Sequence, residues 1–489
     1  MSSLKQKTTS GLFWGFIDNF SKLGLTFVIG IILARLLEPS DFGLIGMVAI
    51  FVGISQSLID SGFTQALIRK KNCSQADYST VFYFNLFIGF FIYLVLFLSA
   101  PSISKFFEEP ELTLIIRVIS LGIIVNAFAI VQRAILMKEI NFKLQTKISI
   151  FASLISSIIA ITMAYNDYGV WSLVYKSLIG FLFTSLLLWL WNKWKPSLVF
   201  SFNSFKEMFS FGYKLMLSGL IDGLYRNVYL IVIGKFFSAA DLGFYTRAEQ
   251  FNNLPSQNIT GVIQRVSYPA LTKIQDDLPR LKIAYQKIIK STMLLTFTSM
   301  IILAATAKPL ILTLIGEKWM PSVIYLQLLS FIGMQYPLHA INLNMLQVQG
   351  RSDLFLRLEV VKKILAIPVI VIGIALGIKI MIVGMIIHTT ICFFLNSYYS
   401  GKKINYSSWE QLKDISPSFV LAFSIGIVVY FIGATLILPN YQILIIQLCV
   451  GMGLFLCIAE IFKMKDYYYI KEIFLNKIIH QKNKSKQSR

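Results

Sequence analysis

Two short acid–base pairs stand inside otherwise apolar stretches of this chain. Asp18 and Lys22 fall in the run 11–34, and Asp222 and Arg226 in the run 209–233. A spacing of four residues puts each pair on one face of a helix. Charges in such surroundings cost about 2.5–3.5 kcal/mol near a helix centre, so they face water, a partner or a ligand. Lys offers a phosphate a point charge and Arg a bidentate fork. The neighbouring carboxylate either neutralises its base or holds a coupling proton or sodium ion. Further isolated bases are Arg117, Lys176, Lys214, Arg247 and Arg265. Bases outnumber acids in this set, so a cavity they line would attract an anion. Structural ion pairs and snorkelling to the interface are the competing reading, and the sequence leaves both open.

Other reactive residue types carry less. His388 is read as a satisfied packing residue, and Asp276-Asp277 as a solvated helix connection in a basic loop. Glu359 and Glu460 sit near helix ends, where hydration is easy. The four cysteines, Cys73, Cys392, Cys449 and Cys457, form no CxxC pair, so neither a disulfide framework nor a zinc site is expected. No metal or cofactor motif is visible, and no nucleophile–base constellation points to an enzyme.

The elements that position these charges must be membrane helices. Hydrophobic residues make up 56% of the 489 and charged residues only 14%, against about 25% in soluble domains. Mean hydropathy is +0.68. A soluble chain of this length would lack the polar residues to cover its domains. The net charge of +21 would suggest a nucleic-acid partner in a soluble protein. The placement of the charges argues against one here.

Stretches of about 20 apolar residues predict spans at 11–34, 42–61, 81–101, 112–136, 147–165, 169–191, 209–233, 287–309, 323–347, 358–377, 380–400, 416–437 and 441–462. The first also serves as an uncleaved targeting signal. Segment 249–271 carries Asn252, Asn253, Pro255, Gln257, Asn258, Gln264 and Arg265, and hydropathy alone would reject it. Topology argues for it. With both termini cytoplasmic and 249–271 spanning, about 32 of the 45 Lys and Arg lie at the cytoplasmic side, the positive-inside pattern. Without it every later loop inverts. The prediction is an all-α polytopic membrane protein with fourteen transmembrane helices. Tyr467-Tyr468-Tyr469 then reads as an interfacial anchor, and 476–489 as a basic tail against anionic lipid.

The chain also repeats at about 200 residues. Arg35-Leu36-Leu37-Glu38-Pro39-Ser40-Asp41-Phe42-Gly43 matches Lys235-Phe236-Phe237-Ser238-Ala239-Ala240-Asp241-Leu242-Gly243 in pattern. Both fall in the first outer loop of their half. Six helices per repeat makes the repeats parallel, with transport sites where they meet. The expected domains are a six-helix bundle at 1–200, a second at 201–405, an appended helix pair at 406–465 and a tail at 466–489.

At these residues the sequence resembles a known group. Ala34 to Gly43, Gly243-Phe244-Tyr245-Thr246-Arg247-Ala248 with Leu254-Pro255, Tyr268-Pro269-Ala270-Leu271, and Gly316-Glu317-Lys318-Trp319 with Gly350-Arg351-Ser352-Asp353 carry the likeness. They resemble the Wzx-type polysaccharide flippases of the multidrug/oligosaccharidyl-lipid/polysaccharide (MOP) superfamily, in its colanic-acid-exporter-like branch. The resemblance runs from about residue 5 to 440. It implies two six-helix bundles around a cationic cavity, working by alternating access in the bacterial inner membrane. It implies an undecaprenyl-diphosphate-linked oligosaccharide as substrate for lipopolysaccharide, O-antigen or exopolysaccharide export. Membrane lipid, a polysaccharide polymerase and assembly proteins would be its partners. It supplies no compact site signature, so the charged residues above remain assignments from the residues. The rival readings are a cation-coupled multidrug antiporter, whose cavity should be acidic, and a membrane polysaccharide polymerase or ligase, which needs a larger extramembrane loop.

Overall fold

The computed structural model describes residues 2–60, 62–469 and 471–472. Among them every regular element is helical. Nine of these helices are long and apolar enough to cross a membrane, as expected of a multi-pass membrane protein.

The chain divides into two compact units, 1–246 and 247–489. In the first, α1 (Ser2–Leu36), α2 (Pro39–Asp60), α3 (Phe63–Arg69), α4 (Gln75–Phe107), α5 (Leu112–Ile119), α6 (Leu121–Lys138), α7 (Phe142–Tyr165), α8 (Val170–Trp191), α9 (Phe202–Arg226) and α10 (Val228–Phe236) follow one another. α11 (Ala239–Thr272) runs through the division. The second unit continues with α12 (Leu278–Ala305), α13 (Ala307–Leu314), α14 (Ser322–Gly333), α15 (Tyr336–Val348), α16 (Ser352–Leu376), α17 (Ile378–Lys402), α18 (Ser408–Thr435) and α19 (Asn440–Ile461).

The first unit takes in α9 and α10, which pack on α2, α3 and α4. Aromatic rings make much of that contact. Phe63 lies 4.9 Å from Phe84 and 6.1 Å from Phe205, and Phe84 lies 5.0 Å from Phe205.

Local chemistry sets the helix ends. Ser74 and Asp77 form a reciprocal capping box at the start of α4, with bonds of 3.2 and 2.8 Å. Ser407 and Glu410 repeat it on α18, at 3.2 and 2.7 Å. The Asp277 carboxylate accepts from the Arg280 N–H (3.1 Å), so half of the acidic pair caps α12. Gly377, at φ +97°, makes the tight break between α16 and α17.

Several elements differ from expectation. The span ending at 61 continues into α3, so only residues 70–74 connect it to α4. The predicted span 323–347 is two helices, of 12 and 13 residues. α11 is one long helix despite Pro255 and Pro269, but its polar residues keep it below the apolarity of the nine.

The second unit buries a hydroxyl–amide network. Tyr285 Oη donates to Asn342 Oδ1 (2.9 Å), as does Ser400 Oγ (2.5 Å), and Asn342 Nδ2 reaches Gln411 Oε1 (3.3 Å). Each of these four side chains is fully buried, and mutual pairing removes most of the cost of placing them there.

Candidate functional site

A cavity of about 720 Å³ lies in the first unit between α2, α3 and α9. Its shape begins with glycine. Gly62, at φ +68°, lets the chain bend between α2 and α3 in the left-handed region that side chains disfavour. A Cβ on Gly62 would lie 2.7 Å from the carbonyl oxygen of Gly212, so α3 and α9 touch there backbone to backbone. Gly53 and Ser57 of α2 and Gly219 of α9 also line the space, and a Cβ on Gly219 would lie 3.8 Å from Ser57 Cβ.

The polar lining is Gln56, Ser57, Gln65 and Arg69, and the apolar wall is Ile68, Phe211, Leu215 and Met216. The Arg69 guanidinium stands 4.7 Å over the Phe211 ring. That contact holds the arginine by its face and leaves its edge donors for a ligand. Among the described residues that line it, none is a carboxylate. A single fork of N–H donors beside two amides and a hydroxyl suits an anion attached to hydroxyl-rich groups.

Ion pairs fix the rim. Lys70 bonds to Asp77 (3.1 Å) and to Glu207 (3.0 Å), tying the end of α3 to α4 and α9. The Glu207 carboxylate raises the Lys70 pKa above its ordinary value. Lys138 Nζ donates to the carbonyls of Leu67 (3.3 Å) and Lys70 (2.6 Å), as a cation does at a helix C-terminus.

The sequence-predicted charges are placed as follows. Asp18 and Lys22 meet at 2.7 Å, with side chains 17% and 44% exposed. The other carboxylate oxygen of Asp18 is buried, with no hydrogen-bond partner among the described residues. The side chains of Asp222 and Arg226 lie outside the described residues. Lys214 is exposed on α9, its Nζ 5.9 Å from the Tyr213 ring. Arg117 donates to the Phe97 carbonyl (3.4 Å) and covers the Phe97 ring at 4.4 Å. Lys176 is half-buried on α8. In the second unit Arg247 is buried, 5.8 Å over Trp319 and bonded to Gln250, whereas Arg265 is exposed. Of these residues, none whose side chain is described lines the α2–α3–α9 cavity.

Arg69 was not anticipated. In the sequence it counts as one more cytoplasmic loop base, and the signal that could have found it is Gly62 seven residues earlier. His388 is satisfied by the Lys362 carbonyl (2.9 Å), which fits a packing role. It is not remote from charge, because Lys362 pairs with Glu359 on the same neighbouring helix.

Comparison with known proteins gives a consistent picture. Residues 32–324 match the family model described as polysaccharide biosynthesis protein. The chain is 27% identical over 443 residues to the lipopolysaccharide biosynthesis protein WzxC of Escherichia coli (strain K12), covering 87% of this chain and 89% of that protein. It is 26% identical over 359 residues to the teichuronic acid biosynthesis protein TuaB of Bacillus subtilis (strain 168), covering 72% and 74%. Among solved structures, the lipid II flippase MurJ in an inward closed conformation superposes with a TM-score of 0.71 at 16% identity, covering 93% of this chain and 98% of that one. At that identity the likeness shows the fold.

Proposed function

Because the chain belongs to the polysaccharide biosynthesis protein family, we propose that it is a flippase for undecaprenyl-diphosphate-linked oligosaccharide units. The units would pass from the cytoplasmic to the outer leaflet of the bacterial inner membrane for surface polysaccharide assembly. The observation that carries this reading is the α2–α3–α9 cavity, whose described lining sets one guanidinium beside two amides and a hydroxyl. A diphosphate would take the Arg69 fork, and sugar hydroxyls would take Gln56, Ser57 and Gln65. Among the described lining residues a cationic drug would meet the Arg69 guanidinium and no counter-charge, which favours an anionic cargo over the antiporter reading.

In the full proposal fourteen helices span the membrane with both termini cytoplasmic. They form two six-helix bundles related by a parallel repeat, with an appended pair, and a cationic central cavity alternates its access. Lys22 and Arg226 capture the diphosphate first. Lys214, Arg247, Arg265, Arg117 and Lys176 add positive potential. Asp18 and Asp222 neutralise their bases or hold the coupling ion, for which the unpartnered oxygen of Asp18 is a suitable acceptor. The lipid tail stays in the bilayer and enters sideways. A polymerase and assembly proteins take over the product.

Reconstitution tests this directly. Purified protein in liposomes should move a labelled undecaprenyl-diphosphate oligosaccharide out of reach of an impermeant lectin. Protection no faster than in empty liposomes would count against the proposal.

A further inference from the structure

A second cavity, of about 510 Å³, lies within the second unit between the start of α12 and the segment that follows α19. Its lining includes Lys287 and Lys290 from α12 and Lys463 and Lys465 from beyond α19, against the carboxylates of Asp466 and Glu472. The fold makes this place deliberately. Lys463 takes a left-handed conformation, φ +47°, and Met464 N–H bonds back to the Ala459 carbonyl (3.1 Å). This closes α19 and reverses the chain. The returning segment is then clamped. Tyr467 Oη (3.2 Å) and Tyr468 Oη (2.5 Å) donate to Glu460, Lys471 bonds the same carboxylate, and the Tyr467 ring packs 6.1 Å from Phe455.

The four lysines are not equivalent. Lys290 is paired with Asp414 at 2.8 Å, and Lys287 sits 3.7 Å from the centre of the Tyr469 ring. Lys463 and Lys465 are exposed at the mouth. Apolar side chains stand beside them: Ile283, Ile461 and Phe462 are 66%, 74% and 75% exposed. Positive charge at a helix-end cavity, next to bare aliphatic and aromatic surface, matches the two halves of a lipid rather than a free ion.

We propose that this cavity binds the phosphodiester headgroup of an anionic glycerophospholipid of the cytoplasmic leaflet, with its acyl chains along Ile283, Ile461 and Phe462. The proposal rests on the cytoplasmic placement of this end of the protein, and not on which saccharide is moved. A chain that flips nothing could still hold the lipid here, so the two readings fail separately.

The test uses the full chain purified from discs containing phosphatidylglycerol and phosphatidylethanolamine, with retained lipids counted by native mass spectrometry. The expected result is selective retention of phosphatidylglycerol, not displaced by millimolar inorganic phosphate. Lys463→Gln/Lys465→Gln should weaken that retention roughly tenfold or more. The same double change to Arg should keep it, and both variants should melt like the parent in phosphatidylethanolamine alone. Equal retention of the two lipids, retention unchanged in the Gln variant, or displacement by inorganic phosphate would each overturn the assignment.

Discussion

Gly43 meets Ala239 so closely that a Cβ on the glycine would lie 1.7 Å from the Ala239 carbonyl oxygen. The contact is reciprocal, since a Cβ on Gly243 would lie 1.9 Å from the Pro39 carbonyl oxygen. Gly243 and Ala239 occur 200 residues after Gly43 and Pro39, and the helix starts are capped alike. Glu38 N–H donates to Asp41 (2.9 Å), and Ser238 N–H donates to Asp241 (3.3 Å). The first turns of α2 and α11 therefore cross at two glycines with no room for a side chain.

That crossing should be intolerant. Gly43→Ala and Gly243→Ala are each expected to destabilise the protein by about 1–3 kcal/mol through overpacking against backbone. Gly261→Ala, on the same α11 but with open space around it, should be neutral or slightly stabilising. Thermal unfolding of the solubilised protein compares the three, and equal behaviour would refute the close crossing.

One turn further along, a Cβ on Gly46 lies 3.4 Å from Thr246 Cγ2. That approach brings the two positions near enough to test for a disulfide between them. The double variant Gly46→Cys/Thr246→Cys should cross-link under mild oxidant. If the outer ends of α2 and α11 part during transport, oxidation stops transport and reductant restores it. Undiminished transport in the cross-linked protein would mean that this crossing stays shut throughout.

Arg69→Gln should abolish transport with little effect on unfolding temperature, because the residue is exposed and its ring contact is worth only about 0.5–1 kcal/mol. Arg69→Lys should keep part of the activity, since the charge remains but the fork is lost. Initial flipping rates in liposomes decide it, and a fully active Arg69→Gln would remove the cavity from the account.

Lys22→Glu and Arg226→Glu should each block export while the protein still inserts. Lys22 already has Asp18 at 2.7 Å, so a structural role needs a control. The swap Asp18→Lys/Lys22→Asp keeps the pair and reverses its order. Export should stay impaired if the base must meet substrate, and recover if the pair only stabilises the helix.

At the other end of the first unit Lys235 bonds to Glu108 at 2.7 Å. That bond holds the Glu108 carboxyl below its ordinary value of 4.5. A depressed folded value means stabilisation that is present above the unfolded pKa and lost as pH falls through the folded one. The difference in unfolding temperature between the parent and Glu108→Gln should be present at neutral pH, shrink as pH falls past that ordinary value and vanish only below the depressed folded one. A difference that persists there would show that the ion pair is not its source.

The helices were legible because an apolar run of membrane length leaves few alternatives. The polar segment 249–271 was recoverable only through charge placement, and it does lie in one helix, α11. Breaks inside segments were less legible, because an apolar run reads alike whether or not the helix stops at residue 334. The cavity was missed for the same local reason. Nothing in the composition near Arg69 says that a left-handed glycine carries α3 onward to face α9. Asp277 and the Tyr467-Tyr468-Tyr469 run show the opposite limit. Their types suggested a solvated connection and an interfacial anchor; Asp277 lies in an exposed connection and also caps α12, and two of the tyrosines also hold Glu460, which residue type alone does not say.

The central claim is the direction and nature of the cargo, and the decisive measurement is made in cells depleted of this protein. Undecaprenyl-diphosphate oligosaccharide is assayed separately on each face of the inner membrane. The account predicts complete repeat units accumulating on the cytoplasmic face while surface polysaccharide is lost. Units that still reach the outer face, or no accumulation together with altered resistance to cationic drugs, would contradict it.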